Sequence, residues 1–255
     1  MNHLVVSCVG SKTLGGPRLR DIQGETVLER WTEWNEAIQE RVRRGPLSEA
    51  TRVYAGSLWN AYLEVLEEFR TLGDECRLWI VSAGLGLVSG STSIPGYGAT
   101  FKPGKEDSVA KDFSGQLAVG WNREWWRLLT ETGLVDEPLT LSDLFGFLEP
   151  GEVLVMAMGG DYYSAVYENL GMARAKGEVV LIGLKRTKLG LEPEVPAHLR
   201  AYAVPYKDFV TLRKSLDCNM IQVHAYTARE LVRHYRTHRN WNLRLDGLGQ
   251  IGEVG

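Results

Sequence analysis

The sequence has few of the residues that staple small or extracellular folds. It contains three cysteines in 255 residues, Cys8, Cys76 and Cys218. They lie far apart, which excludes a disulfide framework and fits a reducing, cytoplasmic setting. No CxxC pair is present, so a structural zinc site is not expected. No apolar run is long enough to cross a bilayer. No basic region followed by a long apolar run opens the chain, so no signal peptide is expected. Positive charge is not in excess: 29 Lys and Arg stand against 32 Asp and Glu, a net of -3. Any surface for nucleic acid must therefore be local. The common motifs are missing too: there is no G-x-x-x-x-G-K-[ST] loop, no G-x-G-x-x-G opening a helix, no G-x-S-x-G elbow and no H-E-x-x-H. No internal repeat or low-complexity linker divides the chain.

What remains is an ordinary globular composition, 44% hydrophobic and 24% charged, long enough for one large core or two domains. Leu4 to Val6, Leu78 to Val81 and Val153 to Met158 are short apolar runs, read as buried strands, and Glu178 to Leu184 is a further one. Helical spacing runs from Gly24 to Arg43, from Ser57 through Phe69, from Gln116 to Thr132 and briefly from Leu141 to Leu148. A further helix through Val166 and Leu170 joins Val153–Met158 to Glu178–Leu184 as a parallel βαβ unit. The segment Ser89 to Gly104, rich in Gly, Ser and Pro, reads as a long functional or mobile loop. Trp121, Trp125 and Trp126 sit close together, between core and groove. Thr227 and Glu230 have capping-box spacing and open a basic helix. The expectation is one α/β domain over residues 1–255, with a central mixed sheet flanked by helices and a basic C-terminal helical segment at 220–246.

Three of the strands run into loops of small residues: Ser7 to Gly16, Ser82 to Val88, and Gly159-Gly160-Asp161. Small residues let backbone approach a ligand, and open α/β sheets bind ligands outside the carboxyl ends of their strands. These loops can meet on one edge. Cys8 offers a thiol nucleophile, or is a small buried hydrophobe. Asp161 is a general base, a reader of a base edge, or an N-cap. Lys12 binds phosphate, pairs with a carboxylate, or is solvated. Ser7, Ser11, Ser82, Gly159 and Gly160 would line the pocket. Tyr97, Tyr162 and Tyr163 stack on a ligand or belong to the core. His234 and His238 share a helix face but lack a third ligand and stand among arginines, so no metal is expected. Lys185, Arg186 and Lys188, with Arg229, Arg233, Arg236 and Arg239, are the local basic segments available to phosphates.

Four segments carry a family resemblance. Ser7-Cys8-Val9-Gly10-Ser11-Lys12-Thr13-Leu14 resembles the S-P-A-K-T-L opening of the YaaA-like (DUF328) proteins. Tyr54-Ala55-Gly56-Ser57-Leu58-Trp59 resembles their Y-x-G-x-x-Y segment. Ser82 to Val88 with Ile94-Pro95-Gly96-Tyr97 resembles their L-S-A-x-x-G-L-L and P-Y pair. Met158 to Val166 resembles their N-L-A-S-x-E-Y-F-x-A-V stretch, with Asp161 at the family's Glu. The opening is also similar to the P-C-S-x-K-P-Y segment of archaeosine synthases. Within this group the chain looks most like the DpdC-type proteins of bacterial clusters that place 7-deazaguanines in DNA. The resemblance implies a fold related to uracil-DNA glycosylase and a nucleobase pocket. It implies hydration of the nitrile of 7-cyano-7-deazaguanine in DNA to the amide, with no cofactor. Cys8, Lys12 and Asp161 would be catalytic. Ser7, Ser11, Ser82, Tyr97, Gly159, Gly160 and Tyr162 would hold the base. Arg229, Arg233, Arg236, Lys185 and Arg186 would hold the DNA, and the partners would be modified DNA and other proteins of such a cluster. The rival expectations are a YaaA-like protein that binds DNA without chemistry, and a glycosylase-like hydrolase using Asp161.

Overall fold

A computed structural model describes residues 1–71, 75–134, 140–172, 174–187, 190–206, 209–239, 243–245 and 249–251. The strands are β1 (Asn2–Ser7), β2 (Leu47–Glu49), β3 (Cys76–Ser82), β4 (Gly86–Ser89), β5 (Ser93–Pro95), β6 (Val153–Ala157), β7 (Glu178–Thr187), β8 (Gly190–Glu192), β9 (Ala203–Tyr206), β10 (Leu243–Leu245) and β11 (Gly249–Ile251). The helices are α1 (Val27–Arg44), α2 (Ala50–Val53), α3 (Ser57–Thr71), α4 (Gly115–Thr132), α5 (Leu141–Gly146), α6 (Gly160–Ala165), α7 (Tyr167–Met172), α8 (Phe209–Ser215) and α9 (Val223–His238).

Leu4, Val5 and Val6 are apolar in succession and all fully buried. A strand that is apolar on both faces needs helices over both, which suits the middle of a parallel sheet. Accordingly β1 lies inside a seven-stranded mixed sheet, in the order β4-β3-β1-β6-β7-β8, with β9 also paired to β7. The pairs β1–β3, β1–β6, β6–β7 and β7–β9 are parallel, while β3–β4 and β7–β8 are antiparallel. Ser7 stands opposite Val81 on one side, and Val6 stands opposite Ala157 on the other. The carboxyl ends of β1, β3 and β6 therefore share one edge, and the loops bearing Cys8, Ser82 and Asp161 arrive there together.

The chain leaves β1 toward β3, then crosses back to place β6 on the other flank. The connections after β1 and β6 thus diverge, and a crevice opens between them. This is the topological switch point at which α/β sheets take ligands. Gly183 of β7 closes its floor: its φ is +115°, and a Cβ there would come 1.8 Å from the carbonyl oxygen of Met158. Only glycine fits.

Several sequence-based expectations change. The Ser89–Gly104 segment is not without regular structure, and it supplies Thr100 and Lys102 to the crevice. It carries β5, which pairs with β2, and it buries Ile94, Tyr97, Ala99 and Phe101. Its packing comes from scattered single residues, which have no period to detect. The helix after β6 breaks at Val166 into α6 and α7. Thr227 does not cap a helix: α9 starts at Val223, and the Thr227 hydroxyl donates back to the Val223 carbonyl at 2.7 Å. The N-cap of α9 is Gln222, with no side-chain cap hydrogen bond; Asn219 and Gln222 form a reciprocal box on the short 3-10 turn Met220–Gln222 that leads into the helix. A capping box at Thr26 and Glu29, not read from the sequence, opens α1. Trp125 and Trp126 are core; the indole N–H groups of Trp34 and Trp125 donate to Gly84 and Ala83, pinning the turn after Ser82. Among the described residues, no helix is long and apolar enough to cross a membrane.

Candidate active site

The crevice between the β1 and β6 ends is a cavity of about 570 Å³. Its walls come from the β1 loop, the start of α3, Thr100 and Lys102, the start of α6, and the start of α9. Ser7, Cys8, Ser11, Gly159, Gly160, Asp161 and Tyr162, all singled out in the sequence, line it together.

Cys8 follows directly on β1, its N–H bonded to the Val81 carbonyl at 3.0 Å. Its Sγ lies 3.2 Å from the hydroxyl of Tyr162, which is also 3.4 Å from Thr100 Oγ1. The phenol can thus donate to the sulfur or accept from it. Burial and the neighbouring Cys8 hold the Tyr162 hydroxyl well above its ordinary pKa, so it stays protonated and acts as a neutral hydrogen-bond partner. Asp161 is not the N-cap of α6, a place held by Gly159. It sits in the first turn, half-buried, and makes no hydrogen bond among the described residues. Burial raises its pKa, an effect that Lys102 partly opposes. A desolvated carboxylate with free lone pairs is a proton acceptor waiting for a partner.

Three of the expected site residues stand behind the wall. Ser82 is 0% exposed; its oxygen accepts from the backbone N–H groups of Gly84 and Leu85 and bonds Tyr97 at 2.5 Å. Tyr97 in turn bonds Tyr54 at 2.7 Å. Both are corrections to the expectation that they touch a ligand: their polar groups are used in shaping the turn. The Lys12 ammonium donates to the Val9 carbonyl at 2.9 Å and lies 4.1 Å from the Tyr97 ring centroid. Burial lowers its pKa, while Cys8 and Asp107 raise it. Lys12 is thus a fixed cation beneath the β1 loop, within electrostatic reach of Cys8, and not a phosphate ligand in the crevice. Tyr163 is core, its single hydroxyl proton shared between the Met156 and Ile182 carbonyls and its oxygen accepting from the Ile182 N–H.

The arginines of α9 do not form a free phosphate-binding face. Arg229 pairs with Glu64 at 2.5 Å, Arg233 with Glu68 at 2.5 Å and Glu230 at 2.9 Å, and Arg236 donates to Thr71 at 3.3 Å. The carboxylates come mainly from α3, so these cations fasten α9 to α3. Lys185 is exposed on β7; the side chain of Arg186, with Lys188, falls outside the described residues. His234 and His238 stack at 4.2 Å between ring centroids, and no cluster of three or more potential metal ligands occurs among the described residues.

Two groups escaped the sequence reading: His224, which lines the cavity, and Tyr62, buried behind its wall. Tyr62 sits at core spacing in α3, and His224 lies 162 residues away at the start of α9. Tyr62 bonds Ser7 Oγ at 2.8 Å and His224 Nε2 at 2.6 Å. The available signal was a tyrosine, not a phenylalanine, in a buried stripe, since a buried phenol needs a partner. Burial, helped by Lys102, lowers the His224 pKa to about 4, so the imidazole is neutral near pH 7.

No family model, curated protein or solved structure matches this chain.

Proposed function

We propose that the crevice is the active site of an enzyme that hydrates the nitrile of 7-cyano-7-deazaguanine in DNA to the amide. The single observation that carries the reading is a thiol and an unpaired, desolvated carboxylate, Cys8 and Asp161, on two walls of one cavity at the switch point. The identity of the base rests on the resemblance of Ser7–Leu14, Tyr54–Trp59, Ser82–Tyr97 and Met158–Val166 to YaaA-like and archaeosine-synthase segments. The same resemblance suggests kinship with the uracil-DNA glycosylase fold, and a mixed sheet whose inner strands are parallel, with its crevice at their carboxyl ends, is compatible with it.

In this mechanism Cys8 Sγ bonds to the nitrile carbon, and the thiol proton passes to the nitrile nitrogen through Tyr162. Water then adds to the carbon of the thioimidate while Asp161 takes one of its protons. The nitrogen receives a second proton, the C–S bond breaks, and the proton of the new hydroxyl returns to sulfur. The net change is one water gained. A base in a duplex must be turned out of the stack to reach the cavity. Since the α9 arginines are engaged by glutamates, Lys102 at the crevice and the exposed Lys185 are the better candidates for phosphate contacts.

The test incubates the protein with DNA carrying the nitrile base, in EDTA, and follows nucleoside masses. A gain of one water is expected. Release of free base would replace this reading with the glycosylase one, and unchanged mass with tight DNA binding would leave a binding protein. Loss of turnover in Cys8→Ala supports the thioimidate; retained turnover assigns attack to water activated by Asp161.

A further inference from the structure

The hydroxyl of Tyr62 joins two walls of the cavity. On one side is Ser7 Oγ, 2.8 Å away at the end of β1. On the other is His224 Nε2, 2.6 Å away at the start of α9. Tyr62 is fully buried, while Ser7 and His224 both line the cavity. The second ring nitrogen of His224, Nδ1, makes no hydrogen bond among the described residues. A neutral imidazole has one donor and one acceptor nitrogen, and each hydroxyl both donates and accepts. The chain can therefore run in either sense: Ser7 to Tyr62 to His224, or the reverse.

The fold fixes the His224 end of this line. The α9–α3 ion pairs of Arg229 and Arg233 hold His224 over Tyr62, and the Gln222 amide donates to the Ser57 carbonyl at 3.1 Å.

We propose that Ser7, Tyr62 and His224 form a proton relay whose two ends open into the same cavity, with Ser7 as its delivery end. The proposal rests on the nitrile-hydrating reading and names the source of the second proton. Ser7 Oγ–H is transferred to the nitrogen of the thioimidate adduct. Ser7 takes the proton of Tyr62, Tyr62 takes that of His224 Nε2, and His224 Nδ1 takes one from cavity water. The proton that Asp161 removed from the attacking water returns to solvent, so charge and protons balance. The low pKa of His224 suits a relay that rests neutral and never stores a charge in the protein interior. Tyr62 and, through it, His224 are positioning residues; Ser7 is the group that touches substrate.

Two measurements test it. In the turnover assay, Tyr62→Phe keeps the ring and removes the wire. It should slow turnover on the order of 100-fold, the scale of one proton-transfer group, with DNA affinity unchanged. Ser7→Ala should show the same loss, and the double variant no more than either alone. Turnover of Tyr62→Phe within threefold of wild type, or additive losses, overturns the relay while leaving nitrile hydration intact. The second measurement needs no turnover. Long-range ¹⁵N spectra of the wild-type protein should show His224 as a single neutral, hydrogen-bonded ring that does not titrate between pH 5 and 8, with a slowly exchanging Tyr62 hydroxyl proton. If that proton is absent or the ring titrates near 6.5, the relay is wrong. If wild type leaves the nitrile unchanged, the hydration reading fails and the spectra alone decide the relay.

Discussion

On the outer face of α9, Arg229, Arg233 and Arg236 each meet a carboxylate or hydroxyl, chiefly from α3. In the crevice beside the start of the same helix, Asp161 meets none, and the polar groups of Cys8, Ser7 and His224 border about 570 Å³ of open space. Both regions are rich in polar side chains, and in sequence the arginine helix is the more conspicuous. The difference lies in bonding capacity. A charge whose partners are supplied by the fold holds elements together. A desolvated group left without partners costs stability, and such groups concentrate where a ligand completes them.

The comparison can be broken most sharply at Asp161. Asp161→Asn should lower turnover of the nitrile by on the order of 1,000-fold, measured in single-turnover assays. The fold should not suffer. A raised carboxyl pKa contributes stability below the unfolded value of 3.8 and loses it as pH rises through the folded value. At pH 7 the ionised group is therefore a liability, and urea unfolding of the Asn variant should give an equal or higher free energy. A clear loss of stability would show that Asp161 is spent like the arginines.

His224 comes next. Its folded pKa lies below its unfolded value, about 4 against 6.5. The unfolded chain therefore gains a proton first as pH falls. Stability assigned to this group is present above pH 6.5 and is lost between 6.5 and 4, by up to roughly 3 kcal/mol. Urea unfolding at pH 7 and 4.5 should show this loss in wild type and a smaller one in His224→Gln.

On the arginine face the expected effects are smaller. Arg233→Ala removes partners from Glu68 and Glu230; the half-exposed pair is screened, so the cost should be about 0.5–1 kcal/mol, reduced in high salt. The salt dependence of DNA binding should not change; a flattened slope would restore α9 as a phosphate surface. Arg236→Ala loses a single exposed contact, and thermal unfolding should shift by no more than a few tenths of a kcal/mol.

The sheet was legible because β1, β3, β6 and β7 each hold a short apolar run, the pattern of strands buried on both faces. Their small-residue ends marked the crevice edge, and Cys8 and Asp161 followed. Ser82 was misread because a small polar residue at a strand end serves equally well as a ligand contact or as the hydroxyl that closes a turn. Lys12 was legible as near the site but not as the cation between Tyr97 and Tyr54, rings that come from two distant segments. Tyr62 and His224 were invisible for the same reason: each is unremarkable locally, and their meeting depends on how α9 lies over α3. That placement is set by ion pairs between helices, and residue spacing along one helix does not reveal the other helix's glutamates.

The position of β1 has a consequence for how the chain is made. Asn2 pairs with Cys76 and with Val153, so this inner strand is synthesised before both of its neighbours, and the second of them arrives about 150 residues later. At typical ribosomal speeds of about 5–20 residues per second, that delay is roughly 8 to 30 s. Through that interval one edge of an apolar ribbon has no permanent neighbour, a hazard for pairing with other chains. Slowing translation ahead of Val153 should lower the yield of folded protein more than the same pause placed after Thr187, and a holdase that covers short apolar segments should offset the loss.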